Sequence, residues 1–117
     1  MKYTEILKLK DMLEKANIPF EFTDDLFGAM KKDTLYPPLL NSYPAYQIRI
    51  GNICDAIEHC MSYGNEQDLI EIRGGLTAKE QLDGSVLGGL TAEEVFKRFK
   101  YCYENNTSTY EENDDEN

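Results

Sequence analysis

Two stretches of the chain carry apolar side chains at helical spacing along one side only, and a one-sided helix is not stable until that side is covered. In the first, residues 4–16, Ile6, Leu9, Leu13 and Ala16 recur on one face while Lys8, Lys10, Asp11 and Glu14 occupy the other. Asn17 suits the left-handed residue that closes a helix, Ile18 can fold back onto the last turn, and Pro19 forbids another, so the spacing predicts a helix ending at Asn17. In the second, Thr91 and Glu94 form the reciprocal pair of a capping box, and Leu90 can staple against Val95. Phe96, Phe99 and Tyr103 then make the inward stripe, with Lys97, Arg98 and Lys100 toward the negative end of the helix dipole.

The cover for both helices is read from alternation. Ile18, Phe20 and Phe22 alternate with Pro19, Glu21 and Thr23; Tyr46, Ile48 and Ile50 alternate with Gln47 and Arg49. Gly51-Asn52 reads as a two-residue hairpin turn with glycine supplying positive φ, after which Ile53 to Met61 resumes an extended pattern. Ser62 to Asn65 make a second turn, and Asp68 to Arg73, with Ile70 and Ile72 on one face, read as the next strand, although Leu69-Ile70 also suits a short helix. Residues 24–45 are expected to be irregular, because Pro37, Pro38 and Pro44 exclude helix or central strand over much of the segment. Its apolar content, Leu26, Phe27, Met30, Leu35 and Tyr36 among others, suits a loop that covers a core or a partner surface.

Residues 74–80, Gly-Gly-Leu-Thr-Ala-Lys-Glu, are nearly repeated at 88–94 as Gly-Gly-Leu-Thr-Ala-Glu-Glu. So short an offset is not a solenoid period, and the shared task is helix initiation, the glycine pairs being read as turns. The first copy is expected to make one or two turns before Asp83-Gly84 stops it. An antiparallel sheet offers one face to helices and leaves the other polar, so the expected fold is an α+β two-layer sandwich: about four strands with two main helices on one face. Residues 1–105 are expected to form a single domain. Residues 106–117 are polar and acidic with Tyr110 as the only large side chain, and are expected to be a disordered tail.

A chain of 117 residues supports one core. Its formal charge of -10 opposes attraction to nucleic acid or anionic lipid, because binding phosphate needs clustered cations. Half of that charge lies in the tail, on Glu111, Glu112, Asp114, Asp115 and Glu116, which leaves room for a local basic pocket. Cys54, Cys60 and Cys102 are an odd set with no zinc spacing, and are read as small hydrophobes. No run approaches the ~20 apolar residues of a membrane span, and the opening segment is charged and amphipathic, so a cytoplasmic protein with neither membrane nor nucleic-acid partner is expected.

His59 is the one histidine, and its neighbour Cys60 would point to the opposite face of a strand, so a Cys/His nucleophile pair is not assembled; a hydrogen-bonded sheet histidine is the plainer reading. The carboxylate pairs Asp24-Asp25, Glu93-Glu94 and Glu111-Glu112 fall in a turn, a helix start and the tail. Neither catalytic residues, a metal site nor a cofactor is expected. Arg49 and Arg73 are more informative. Both alternate with inward isoleucines, which places them on the sheet face away from the helices, with Tyr46, His59 and Tyr63 as candidate neighbours. Arginine with aromatic rings is a means of gripping a phosphate and stacking a base. The plainer reading is solvated strand arginines paired with Glu58 or Glu71.

The segments Lys-Ala-Asn-Ile-Pro-Phe-Glu-Phe (15–22), Ala-Ile-Glu-His-Cys-Met-Ser-Tyr-Gly (56–64), Asp-Leu-Ile-Glu-Ile (68–72) and Leu-Thr-Ala-Glu-Glu-Val-Phe-Lys-Arg (90–98) resemble the small proteins encoded by phages and prophages of gut Firmicutes. That resemblance implies an anti-defence role in the host cytoplasm: a non-enzymatic protein that sequesters a nucleotide-derived signalling molecule, as a homodimer. The alternative is an inhibitor or adaptor that binds a host protein, as a nucleic-acid mimic would.

Overall fold

In a computed structural model, residues 3–26 and 44–112 are described. Helix α1 spans Thr4–Lys15, followed by strands β1 (Glu21–Thr23), β2 (Ala45–Ile50), β3 (Cys54–His59), β4 (Ile70–Arg73) and β5 (Val86–Leu90), and by helix α2 (Ala92–Asn105). The five strands pair antiparallel in sequence order, β1-β2-β3-β4-β5. Both helices pack on one face of this sheet and against each other, giving the α+β sandwich that one-sided helices require. Much of the irregular segment read at 24–45 lies outside the described residues.

Helix α1 ends as its sequence dictates. Asn17 takes φ 59°, and the Ile18 amide reaches back to the Leu13 carbonyl at 3.1 Å, closing the turn before Pro19. Ile6, Leu9 and Leu13 are fully buried, whereas Ala16, past the last turn, is exposed. Helix α2 carries the complete capping box of Thr91 and Glu94. Its buried stripe is Ala92, Val95, Phe99 and Cys102. Of the expected stripe Phe99 is fully buried, whereas Phe96 and Tyr103 each stand one position beyond a buried residue: Phe96 is half-buried and Tyr103 is 40% exposed. Phe99 shares the buried line with smaller residues, and the rings of Phe96 and Tyr103 flank it.

Three further expectations are corrected. Among the described residues the sheet has five strands, not about four, because Gly88-Gly89 extends β5 instead of forming a turn. Glycine is needed there for another reason: a Cβ on Gly88 would lie 2.3 Å from the Tyr63 Cβ. The β2–β3 connection has three residues, 51–53, with Gly51 at φ 49° and the Ile53 amide bonded to the Ile50 carbonyl at 2.9 Å.

The start of the acidic tail is also ordered. The Gly75 amide donates to the Ser108 carbonyl (2.7 Å), the Tyr110 amide to the Leu76 carbonyl (2.9 Å), and Tyr110 is 4% exposed. Its ring meets Tyr101 edge-on at 5.4 Å and lies 5.1 Å beneath the Arg98 guanidinium. Composition predicted disorder by counting apolar residues, but one tyrosine between an arginine and a second ring anchors residues 107–110.

Candidate functional site

Strand alternation sorts the side chains into two environments. Ile48, Ile50, Cys54, Ala56, Ile70 and Ile72 enter the core beneath the helices. On the opposite face, cross-strand pairing sets Glu21, Arg49, Asp55 and Arg73 in one row, since Glu21 opposes Arg49, Arg49 opposes Asp55, and Asp55 opposes Arg73. Charges alternate along this row. The Arg49 guanidinium grips the Glu21 carboxylate, with Nε to Oε1 at 2.9 Å and a second contact from Nη2. Gln47 Nε2 donates to Asp55 Oδ2 at 3.3 Å. Among the described residues Arg73 has neither an ion pair nor a side-chain hydrogen bond, and it is exposed.

At this end of the sheet the row opens into a cavity of about 530 Å³, within the range of small-ligand sites. Arg49, Asp55 and Arg73 line it, together with Gln81, Ser85 and Ser108. The β2–β3 turn sits directly against Gly74, where a Cβ would come within 2.5 Å of the Ile53 carbonyl oxygen; that glycine, at φ 78°, permits the close approach that shapes the cavity.

The far wall is held firmly. Arg98 donates to both carboxylate oxygens of Glu80 (2.8 and 3.0 Å) and to the Gly75 carbonyl (2.9 Å). Those arginine hydrogen bonds hold Glu80 well below the usual carboxylate range, at about 2. Gln81 Nε2 bonds the Leu76 carbonyl and the Thr109 hydroxyl, each at 3.2 Å, tying the 3₁₀ turn Glu80–Asp83 to the docked tail. The cavity therefore presents guanidinium, hydroxyl and amide groups on a braced frame, with one carboxylate between the two arginines. Such a surface can take an anionic group at Arg73 and a hydroxyl at Asp55.

Of the residues singled out from sequence, Arg49 and Arg73 are brought together and the other three are placed elsewhere. Tyr46 faces the helices, its ring 5.3 Å from Tyr3 and 6.1 Å from Phe22. His59 opposes Ala45, four residues along β3 from Asp55 and so about 13 Å away. The His59 imidazole accepts the Met61 amide through Nδ1 at 3.1 Å, and burial lowers its pKa. Tyr63 is 67% exposed in the turn after β3, its amide donating to Glu71 Oε1 at 2.9 Å. Among the described residues neither Glu58 nor Glu71 pairs with an arginine; Glu21 takes that part for Arg49.

The lining residues that sequence reasoning missed are Asp55, Gln81, Ser85 and Ser108. Asp55 was missed because the expected two-residue turn at 51–52 would set Cys54 opposite Arg49, whereas the three-residue connection 51–53 sets Asp55 there; the other three arrive through the 3₁₀ turn and the docked tail. Among the described residues no cluster of His, Cys, Asp or Glu is arranged to hold a metal, and no helix is long and apolar enough to cross a membrane. Comparison with protein families, curated proteins and solved structures finds no match for the chain.

Proposed function

We propose that this protein binds and sequesters a small phosphate-bearing ligand of the nucleotide-derived class, without turning it over, in the cavity between Arg49 and Arg73. The observation that carries the reading is the convergence of two arginines from different strands on one cavity, with Arg73 uncommitted to any carboxylate among the described residues. An arginine buttressed by its strand and left without a counter-ion is a ready donor of two parallel hydrogen bonds to a phosphate or phosphodiester. Asp55, flanked by both arginines, adds an acceptor suited to a sugar hydroxyl. In the phage setting that the resemblance implies, such binding withdraws a signal from its receptor.

The test is calorimetric titration of the intact protein with cyclic mononucleotides, cyclic dinucleotides, ADP-ribose and inorganic phosphate. Saturable binding of at least one nucleotide is expected, weakened about tenfold in Arg73→Lys with an unchanged melting temperature, because lysine keeps the charge but loses the paired donor geometry. Absence of binding by every probe at millimolar concentration overturns the reading, and so does affinity unaltered in both Arg49→Lys and Arg73→Lys.

A further inference from the structure

Glu58 is the anomaly of the core. It stands on β3 in line with Cys54 and Ala56, on the face beneath the helices, and it is 0% exposed. Both of its carboxyl oxygens are buried without a hydrogen-bond partner at ordinary geometry, and so are both polar atoms of the buried Asn65. The groups that face Glu58 are the Asp68 carboxylate from the turn before β4, the Ile6 amide and the Glu5 carboxylate from α1. Tyr3, its ring against Tyr46, and Cys60 at the end of β3 complete the surroundings, and Tyr46 is the cross-strand neighbour of Glu58. The cations of α1 are engaged elsewhere, Lys8 with Glu93, Lys10 with Glu14 and Lys15 with Asp11.

Asp68 has its own task. The residue before α1, Tyr3, supplies no side-chain cap. Asp68 Oδ2 accepts from the Thr4 amide at 3.2 Å and from the Thr4 hydroxyl, and Oδ1 accepts from the Glu5 amide at 3.4 Å. A carboxylate from a distant turn thus caps α1. Glu5 repeats the device one step on, its Oε1 accepting the amide of Ala92, the first residue of α2, at 2.8 Å. Three carboxyl groups in series join the sheet to the start of α1 and the start of α1 to the start of α2.

We propose that Glu58 and Asp68 form a proton-dependent latch: a proton on Glu58 lets the pair carry one negative charge that caps α1, and loss of that proton loosens the first turns of α1 and α2. A charged Glu58 would be desolvated and would face two carboxylates, so the folded protein favours the neutral acid, whose hydroxyl can donate to Asp68. Burial first, and then the neighbouring Asp68 carboxyl to which a protonated Glu58 can donate, push the Glu58 pKa up to about 8. Burial opposes the ionisation of Asp68, but the hydrogen bonds from Thr4 and the Glu5 amide, with the neighbouring Glu58 acid, outweigh it and hold its pKa below the ordinary value. Glu58 thus binds its proton more tightly in the folded state. Its contribution is complete below the ordinary glutamate range, declines as pH rises toward about 8, and is lost above it. The latch lies near the Tyr46–His59 end of the sheet, away from the cavity, and stands independently of the ligand-binding reading.

Hydrogen exchange of the intact protein, corrected for intrinsic base catalysis, tests this. Protection of the Thr4, Glu5 and Ala92 amides is expected to fall about tenfold between about pH 7 and 9, while protection within the sheet holds. In Glu58→Gln, which keeps a donor and cannot ionise, the pH-dependent fall should vanish. An equal fall in Glu58→Gln, or none in the wild type, overturns the latch. If the variant does not fold, a carboxyl-carbon NMR titration of the wild type decides: a Glu58 resonance that titrates in the ordinary carboxylate range also overturns it.

Discussion

The two near-copies at 74–80 and 88–94 begin with the same local chemistry and end as different structures. In the first, the Thr77 amide donates to Glu80 Oε1 at 2.8 Å and the Glu80 amide to Thr77 Oγ1 at 3.1 Å. In the second, the Thr91 amide donates to Glu94 Oε1 at 2.8 Å and the Glu94 amide to Thr91 Oγ1 at 3.2 Å. The leucines match as well, with Leu76 and Leu90 both in the core. Yet the first box opens a four-residue 3₁₀ turn with no buried side chain, and the second opens a fourteen-residue helix. The difference lies downstream. Val95, Phe99 and Cys102 follow the second box at helical spacing and are buried, whereas Gln81, Leu82, Asp83 and Gly84 follow the first and stay exposed. A capping box begins a helix; a buried face prolongs it.

The copies are also joined. Phe99, in the helix that the second copy starts, approaches the backbone of the first so closely that a Cβ on Gly75 would lie 3.3 Å from its ring. Phe99→Ala should therefore disturb both copies and give the largest effect, a loss of about 3–5 kcal/mol in a denaturant melt with cooperativity kept. A loss under about 1 kcal/mol would mean that the two units do not share a core through this ring.

The second joint is ionic. Arg98 belongs to α2 and Glu80 to the first copy, and Glu80 holds a pKa of about 2 chiefly through hydrogen bonds from Arg98. A carboxylate depressed on folding adds stability above its ordinary range, and that stability is lost as pH falls from about 4.5 toward about 2. Glu80→Gln should cost about 1–2 kcal/mol at neutral pH, less than a fully enclosed pair because Glu80 keeps some contact with water. It should also flatten the acid side of the stability profile. Since the same bond braces the cavity wall, an unchanged acid profile would detach that wall from α2.

The comparison also shows where sequence reasoning reaches and where it stops. Periodicity over 4–16, the Asn17-Ile18-Pro19 stop and the Thr91-Glu94 box are contiguous signals governed by backbone chemistry, and they locate both helices. Alternation put Arg49 and Arg73 on the outer face for the same reason. Gly88-Gly89 misled because a glycine pair signals a turn unless another chain segment needs the space, and only tertiary structure brings Tyr63 there. Tyr110 was missed likewise, since its partners Arg98 and Tyr101 lie a helix away in the chain. Glu58 was misread: it was expected as a solvent-facing partner of the strand arginines, yet the alternation that buries Cys54 and Ala56 buries it too. What alternation could not supply was Asp68 as the group beside it.

The smallest expected effect isolates the boxes themselves. Thr91→Ala removes the acceptor of the Glu94 amide at the head of a helix whose first residue, Ala92, is already fixed to Glu5, so a loss of about 1 kcal/mol is expected, with fraying confined to the first turn. Thr77→Ala removes the same acceptor from the Glu80 amide, but the Glu80 carboxylate stays clamped by Arg98 and no long helix depends on the turn. Its loss should stay within about 0.5 kcal/mol, the range of ordinary exposed substitutions. Parallel melts of the two variants read the difference directly. Equal losses would show that the value of a capping box is set by its two hydrogen bonds alone, and a larger loss for Thr77→Ala would make the cavity wall, not the long helix, the element that relies on local capping.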